Sequence, residues 1–138
     1  GYSITTLQRP QSKCAMQSRR GDVLEINYEA AYESIDGLTV SYDASSFRGT
    51  GQPYQMVMGS GDMIPGVDQG LYDMCPGEVR RLKIPPPLAY GPRARDAFRI
   101  PPDYVGLEWR VELVSIDGTI RQDNNDQTRE DREGRFSY

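Results

Sequence analysis

Histidine is absent from the 138 residues of this chain, and that absence excludes several kinds of active site. Without an imidazole the chain cannot build a Ser-His-Asp triad, a histidine-ligated zinc site or a histidine proton relay. No glycine-rich phosphate loop precedes a predicted helix, so the sequence gives nucleotide chemistry no support. Any catalysis must therefore proceed without histidine, the usual acid–base residue and the usual zinc ligand.

Long apolar runs and an excess of positive charge are missing as well. No apolar run approaches the ~18 residues that a membrane-spanning helix needs, and no signal peptide is visible. The formal net charge is -4, from 16 basic and 20 acidic side chains, and nucleic-acid binders are usually basic. The sequence therefore predicts a single domain whose partner is neither a membrane nor a nucleic acid.

Cysteine is scarce, because the chain has only Cys14 and Cys75. Two thiols can remain unpaired as partly buried, weakly polar residues. They can also form a disulfide, which would imply an oxidising compartment. Composition alone leaves both interpretations open.

Alternation of apolar and polar residues predicts a series of half-buried strands separated by turns. Residues 1–20 are polar, with scattered apolar positions, and are expected to form an edge strand followed by a loop. The clearer strand candidates lie at 23–32, 38–43, 54–61, 79–84 and 107–116.

One short helix is predicted after the third of these strands. Ile64 and Val67 lie at helical spacing, Pro65 suits a first helical turn, and Asp62 could cap the N-terminus. Residues 91–103 have prolines at both ends and are typical of a long loop. Together, the predicted strands, short helix and loops indicate an α+β domain built on an antiparallel sheet.

Composition also divides the chain into three parts. Residues 1–20 form an N-terminal segment, 21–117 the folded domain, and 118–138 a charged tail. The tail mixes both signs of charge with little apolar content, which predicts a flexible segment.

The segment 63–91 reads MIPGVDQGLYDMCPGEVRRLKIPPPLAYG, and in this it resembles the FKBP-type peptidyl-prolyl cis-trans isomerases. That family has a short helix, a Gly-Glu turn, a basic-hydrophobic strand and then P-x-x-x-A-Y-G. Further matches run in order over about residues 20 to 117, in GDVLEINY, YDASS, GQPYQMVMGSG and LEWRVELVSI. The resemblance implies a bent antiparallel sheet of about five strands wrapped around one short α-helix, with an apolar pocket between them.

The resemblance also implies a role for each pocket residue. Tyr90 should aim its hydroxyl at a bound carbonyl, and the backbone N–H of Ile64 should offer a second hydrogen bond. Asp43 should orient neighbouring groups and polarise the site without exchanging a proton with the substrate. Without the resemblance, the apolar members of the set would be assigned to the core. The other pocket residues, which should hold a proline ring, would be Tyr28, Tyr42, Tyr54, Met56, Met63, Val67, Ile100 and Trp109.

On this resemblance the chain accelerates rotation about X-Pro bonds in folding secretory proteins. It would stabilise a twisted amide in a dry pocket without a covalent intermediate. No cofactor is implied, and the expected partners of the monomer are proline-containing polypeptides and macrolides of the FK506 or rapamycin type. Val67 stands where the family often has a tryptophan as pocket floor, which predicts a shallower or refilled floor and reduced activity. The alternative is a peptide-binding or chaperone module of the same fold with little or no isomerase activity.

The cysteines match the secretory-pathway branch of that family. There, one cysteine precedes an S-R-K-G-D-type turn and the other follows a G-M dipeptide after the helix. Cys14 lies ahead of SRRGD, and Cys75 follows YDM, so the resemblance implies a Cys14–Cys75 disulfide. It further implies a location in the endoplasmic reticulum lumen or secretion, although the final residues, RFSY, are not a K-D-E-L retention signal.

Overall fold

The computed structural model of the chain describes residues 1–10, 12–49 and 51–118. Its strands are β1 (Ser3–Gln8), β2 (Val23–Glu33), β3 (Thr39–Ala44), β4 (Tyr54–Val57), β5 (Val79–Ile84) and β6 (Gly106–Asp117). Two short helices, α1 (Pro65–Gly70) and α2 (Pro92–Ala97), and 3-10 turns at Ser45–Arg48 and Pro86–Leu88 complete the fold. Apart from Gly118, the predicted charged tail at 118–138 lies outside the described residues.

All strand pairs are antiparallel, and the sheet order is β1-β5-β6-β2-β3. Strand β2 pairs with β6 along its whole length. Its other edge is shared, because β4 pairs with residues 23–26 and β3 with residues 29–33. The α+β prediction is confirmed, with six strands where about five were expected.

Alternating burial along β2 explains why it forms the centre of the sheet. Leu24, Ile26, Tyr28 and Ala30 are buried, while the residues between them are exposed or half-buried. Period-two alternation is what a strand with one face on the core requires. The inward face of β2 therefore supplies one wall of the core that α1 covers.

Helix α1 lies flush against β5 because two of its core-facing positions are glycine. A Cβ added at Gly70 would lie 2.6 Å from Leu82 Cδ2, and one at Gly66 would lie 2.9 Å from Ile84 Cγ1. Larger residues would push the helix away from the sheet. The two glycines that disfavour a helix by propensity are thus needed for its packing.

The residue before α1 is Ile64, which serves as N-cap without a side-chain hydrogen bond, and Pro65 occupies the first turn. The prediction that Asp62 caps this helix is wrong. Its carboxylate instead accepts the backbone N–H of Val57 at 3.0 Å, fastening the preceding loop to β4.

The prediction of an unbroken loop at 91–103 is also wrong, since α2 lies within it. Gly91 is the N-cap and Pro92 the first helical residue. Proline is well tolerated there because its missing N–H would have no helical partner. Pro92 therefore starts a helix.

A disulfide joins Cys14 to Cys75, with 5.6 Å between the two Cα atoms, as the resemblance implied. Close by, the buried Ser18 hydroxyl donates to Leu71 O and accepts the N–H of Met74 at 2.8 Å. These contacts fix the end of α1 to the N-terminal segment. Among the described helices, none is long and apolar enough to span a bilayer.

Candidate active site

A cleft of about 440 Å³ opens between the start of α1, the inward face of the sheet and the end of α2. Aromatic side chains line most of its depth, and a carboxylate and a guanidinium lie along one side. Its lining residues are Tyr28, Asp43, Arg48, Tyr54, Gly61, Asp62, Met63, Ile64, Pro65, Tyr90, Phe98 and Trp109.

The floor of the cleft is an aromatic pair supplied by neighbouring strands. Trp109 of β6 stacks on Tyr28 of β2, with ring centroids 4.6 Å apart and planes inclined by 21°. Tyr54 of β4 meets the Tyr28 ring edge-on, with centroids 5.9 Å apart. Trp109 is only 2% exposed, so the floor is dry and rigid.

A β-bulge in β3 brings two consecutive side chains to this site. Asp43 pairs with Ala30 and Ser41 with Ala31, so Tyr42 has no partner on β2. In a regular strand, neighbouring side chains point to opposite faces, and a bulge changes that direction locally. Tyr42 and Asp43 therefore both reach the cleft region.

Asp43 is held by a chain of hydrogen bonds along one side of the cleft. Arg48 Nη2 donates to Tyr28 Oη at 2.9 Å, and Tyr28 Oη donates to Asp43 Oδ2 at 2.8 Å. The other carboxylate oxygen accepts the N–H of Ala44 at 2.8 Å. Arg48 also lies over the Tyr54 ring, 4.3 Å from its centroid. The carboxylate is thus fixed in place and faces a cation 4.0 Å away.

A second chain of hydrogen bonds lies on the other side of the floor. Trp109 Nε1 donates to Tyr42 Oη at 2.8 Å, and Tyr42 Oη lies 3.1 Å from Tyr90 Oη. Phe98 packs against both phenol rings, with centroids 5.2 Å from Tyr42 and 5.0 Å from Tyr90. Trp109 and Tyr90, the two ends of this chain of hydrogen bonds, line the cleft, and Tyr42 between them does not.

The backbone N–H of Ile64 is a second donor at the cleft. The Ile64 carbonyl accepts the N–H groups of Val67 at 3.0 Å and Asp68 at 3.1 Å, which fixes the peptide at the start of α1. No acceptor for the Ile64 N–H is found among the residues that the structure describes. An N–H at this position of a helix has no partner within the helix, so it can bind a ligand carbonyl.

Comparison with known proteins identifies the fold that carries this cleft. Residues 14–114 match the family model described as FKBP-type peptidyl-prolyl cis-trans isomerase. The chain belongs to this family. It is 45% identical over 105 residues to FK506-binding protein 2 of Yarrowia lipolytica, covering 76% of this chain and 67% of the relative.

Other relatives of this FKBP chain are longer than it is. Human peptidyl-prolyl cis-trans isomerase FKBP7 is 37% identical over 113 residues, which cover 82% of this chain and 49% of the relative. The crystal structure of FkpA from Escherichia coli aligns with a TM-score of 0.62 and 26% identity, covering 85% of this chain and 48% of that one. The chain thus spans about half the length of both proteins.

The structure gathers seven of the predicted FKBP pocket residues around the cleft, which are Tyr28, Asp43, Tyr54, Met63, Ile64, Tyr90 and Trp109. Tyr42 lies behind Tyr90. Met56, Val67 and Ile100 are at most 2% exposed and are not among the lining residues of the cleft, so their contact with substrate stays a prediction. Val67 of α1 is fully buried, and the aromatic rings in the floor are those of Trp109 and Tyr28.

Sequence reasoning missed five of the lining residues as members of the site, which are Arg48, Gly61, Asp62, Pro65 and Phe98. Arg48 and Phe98 contact predicted site side chains directly. Arg48 ends a 3-10 turn five positions beyond Asp43, and a cation so close in sequence to a predicted site carboxylate was the available signal. Phe98 follows α2, which had been interpreted as loop, and a lone aromatic in a charged segment was the signal there.

No group of three or more potential metal ligands occurs in the described parts of the chain. Burial raises the pKa values of three tyrosines at the cleft, Tyr28, Tyr42 and Tyr90. The pKa of Tyr28 is raised to about 12, chiefly by burial, with Arg48 opposing the shift and Asp43 adding to it. Burial also raises the pKa of Tyr42 and of Tyr90. All three hydroxyls therefore keep their protons at neutral pH and remain hydrogen-bond donors.

These shifts predict a loss of stability in alkali. Because Tyr28 ionises near 10.0 in the unfolded chain and at about 12 in the folded one, its contribution is complete below pH 10 and declines as pH rises to about 12. We expect the Tyr28→Phe variant to lose about 1–2 kcal/mol less unfolding free energy than the wild type over that range. Urea unfolding at a series of pH values measures this. Equal alkaline losses in the two proteins would contradict the assignment.

Proposed function

We propose that this cleft catalyses cis–trans rotation about peptidyl-prolyl bonds. The observation that carries the proposal is a pair of donors, the Tyr90 hydroxyl and the Ile64 N–H, at a cleft with an aromatic floor. Family membership supports the reaction class. The proline ring would lie on the Trp109–Tyr28 pair, and the two donors would hold carbonyls of the flanking chain.

Rotation about a prolyl bond is slow because amide resonance opposes it, with a barrier of ~18–20 kcal/mol. A planar amide is more dipolar than a twisted one, so surroundings that exclude water favour the twisted state. Donors that are already in place add binding energy as the chain turns. No proton has to move to or from the substrate, which agrees with a site built from phenols and without histidine.

Asp43 acts in this proposal through its charge and not as a base. Both of its oxygens already accept hydrogen bonds, from Tyr28 Oη and from the N–H of Ala44. The fixed carboxylate polarises one side of the cleft, and Arg48 and Tyr28 keep it there.

The proposed substrates are proline-containing segments of unfolded or extended polypeptides. The cleft is open at the protein surface, so a segment of polypeptide could enter it. Relatives are named FK506-binding protein 2, which supports macrolide binding in the same cleft.

We further propose that the monomer works in the secretory pathway, where an oxidising lumen would maintain the Cys14–Cys75 disulfide.

The role of the Ile64 donor predicts the effect of removing a single N–H. Ile64 has φ -57 and ψ 151, a conformation that proline also adopts. The Ile64→Pro variant should therefore fold but lose one hydrogen bond to substrate, which lowers kcat/KM about tenfold. A protease-coupled isomerase assay on an X-Pro peptide measures this.

The matched control is Ile64→Ala, which shortens the side chain and keeps the N–H. It should lose clearly less activity than Ile64→Pro. Equal losses in the two variants would show that the side chain matters and the donor does not.

The second candidate is a binding module of the same fold. Val67 in the buried position of α1 favours it, because the floor is built differently from the one that the family resemblance implied. Saturable binding of an X-Pro peptide, with exchange at the uncatalysed rate, would establish this candidate in place of the isomerase.

A further inference from the structure

Tyr42 stands between two hydrogen-bonding side chains, and their chemistry fixes the direction of both bonds. An indole N–H can only donate, so Trp109 Nε1 must donate to Tyr42 Oη across their 2.8 Å separation. The Tyr42 oxygen is therefore the acceptor in this bond. The Tyr42 hydroxyl proton is still free to be donated to another atom. Since Tyr42 is half-buried, that proton needs an acceptor within the protein.

The neighbouring Tyr90 oxygen, 3.1 Å away, is the acceptor that the structure offers. Asp43 follows Tyr42 in sequence, but its carboxylate accepts from Tyr28 Oη and the N–H of Ala44, and no hydrogen bond joins it to Tyr42 Oη among the described residues. If Tyr42 donates to Tyr90, the Tyr90 proton points away from this contact. No other hydrogen bond of Tyr90 occurs within the described residues, and its side chain lines the cleft.

We propose that Tyr42 is a positioning residue, and that the one-way chain of hydrogen bonds from Trp109 through Tyr42 to Tyr90 presents the Tyr90 hydroxyl to the substrate as a donor. This rests on the proposed function of the cleft. The chain does two things for Tyr90. First, the Tyr90 hydroxyl does not donate to Tyr42 and can donate to a substrate. Second, the Tyr90 hydroxyl is polarised, because a hydroxyl whose oxygen accepts a hydrogen bond becomes a better donor.

Backbone and packing hold the chain of hydrogen bonds in place. In a regular strand the side chains of Tyr42 and Asp43 would point to opposite faces of the sheet. The bulge at Tyr42 changes this, and the Tyr42 side chain contacts Tyr90. Phe98 contacts both phenol rings, and its centroid lies 5.2 Å and 5.0 Å from theirs. The Tyr42 and Tyr90 rings meet edge-on, inclined by 84°. A donor held in this way needs little reorganisation when the substrate carbonyl arrives.

The two hydrogen-bond chains of the cleft end in opposite chemistry. The chain from Arg48 through Tyr28 ends on a carboxylate, which accepts. The chain from Trp109 ends on a phenol with a proton to give. Tyr28 and Trp109 also form the stacked floor, so one pair of rings both supports the proline and directs the polar groups on each side of it.

A kinetic double-mutant cycle tests whether Tyr42 acts through Tyr90. Tyr42→Phe keeps the ring against Phe98 and should lower kcat/KM about fourfold. In a Tyr90→Phe background the same change should have almost no effect, because the group that it positions is gone. Tyr32→Phe, a tyrosine of β2 outside the cleft lining, is the matched control and should leave the rate unchanged.

The indole signal of Trp109 gives a readout that does not need activity. Trp109 is the only tryptophan in the chain, so its Nε1–H resonance is unambiguous in a ¹H–¹⁵N spectrum. It should move upfield in Tyr42→Phe, which removes its acceptor, and by a smaller amount in Tyr90→Phe, which removes the acceptor of Tyr42. In the double variant, Tyr90→Phe should add nothing to the shift caused by Tyr42→Phe.

The two readouts separate the possible failures. Independent effects of Tyr42→Phe and Tyr90→Phe on the rate, with no indole shift in either variant, would overturn the proposed chain of hydrogen bonds. If the wild type does not catalyse cis–trans exchange of the peptide, the proposed function fails. The indole spectra of the free proteins then decide alone whether the chain of hydrogen bonds exists. Tyr42→Phe could fold poorly because the indole N–H of Trp109 loses its acceptor. In that case the Tyr42→Phe/Trp109→Phe double variant, which lacks the indole N–H, takes the place of Tyr42→Phe in the kinetic cycle.

Discussion

Replacing Trp109 by alanine is expected to lower the free energy of unfolding by about 3–5 kcal/mol and to abolish measurable isomerase activity. Trp109 is 2% exposed and lies directly opposite Leu82 of β5 and Ala30 of β2. Its removal leaves a cavity under the cleft and takes away the stacking partner of Tyr28. Urea unfolding gives the loss of stability, and peptide exchange gives the loss of activity.

The Trp109→Phe variant is the matched control for this prediction. It keeps an aromatic ring on Tyr28 and removes the indole N–H and part of the volume. We expect it to lose about 1–2 kcal/mol and to keep clearly measurable activity, lowered no more than about fourfold because the indole donor to Tyr42 is gone. If Trp109→Ala catalysed exchange as fast as Trp109→Phe, the floor of the cleft would have no part in the reaction.

Removing the disulfide is expected to have the other large effect. The bond closes a loop with a sequence separation of 61 residues, and the Cys14→Ser/Cys75→Ser variant should lose about 4 kcal/mol of unfolding free energy in the chain-entropy model. Because Ser18 still binds Leu71 O and the N–H of Met74, the folded variant should keep the end of α1 in place. Its kcat/KM at low temperature should therefore be close to that of the wild type.

Reduction of the wild-type protein with dithiothreitol is the control for the serine substitutions. Reduced wild type and the double variant should unfold at similar urea concentrations, both well below the oxidised protein. A difference of less than about 1 kcal/mol between the oxidised and disulfide-free proteins would contradict the account of the N-terminal segment. A large loss of kcat/KM in a variant that still folds would instead show that the disulfide helps to maintain the geometry of the cleft.

Most of the fold could be predicted because its strands have one buried face. The alternation along 23–32 and 107–116 survives as β2 and β6, the two longest strands of the sheet. Helix α2 could not be predicted in this way. It is six residues long, has no buried residues, and depends on the position of Pro92 at its start.

The candidate site was only partly predictable, and the reason is local geometry. Tyr90 and Ile64 were expected at the cleft from the resemblance, and the structure places both there. The position of Tyr42 behind Tyr90 depends on a β-bulge, which shows in pairing register and not in residue pattern. Arg48 ends one short helical turn and Phe98 follows another, and the direction of such turns has no periodic signal in the sequence.

The most direct test of the central claim is to record catalysis and binding in one sample. Exchange NMR on an X-Pro peptide with substoichiometric ¹⁵N-labelled protein gives the rate of isomerisation, and a titration of the same protein gives the site of binding. The account predicts catalysed exchange, with the Ile64 amide and the Trp109 indole signals shifting saturably at the same peptide concentrations. Exchange at the uncatalysed rate, or catalysis with shifts confined to residues outside the cleft, would contradict it.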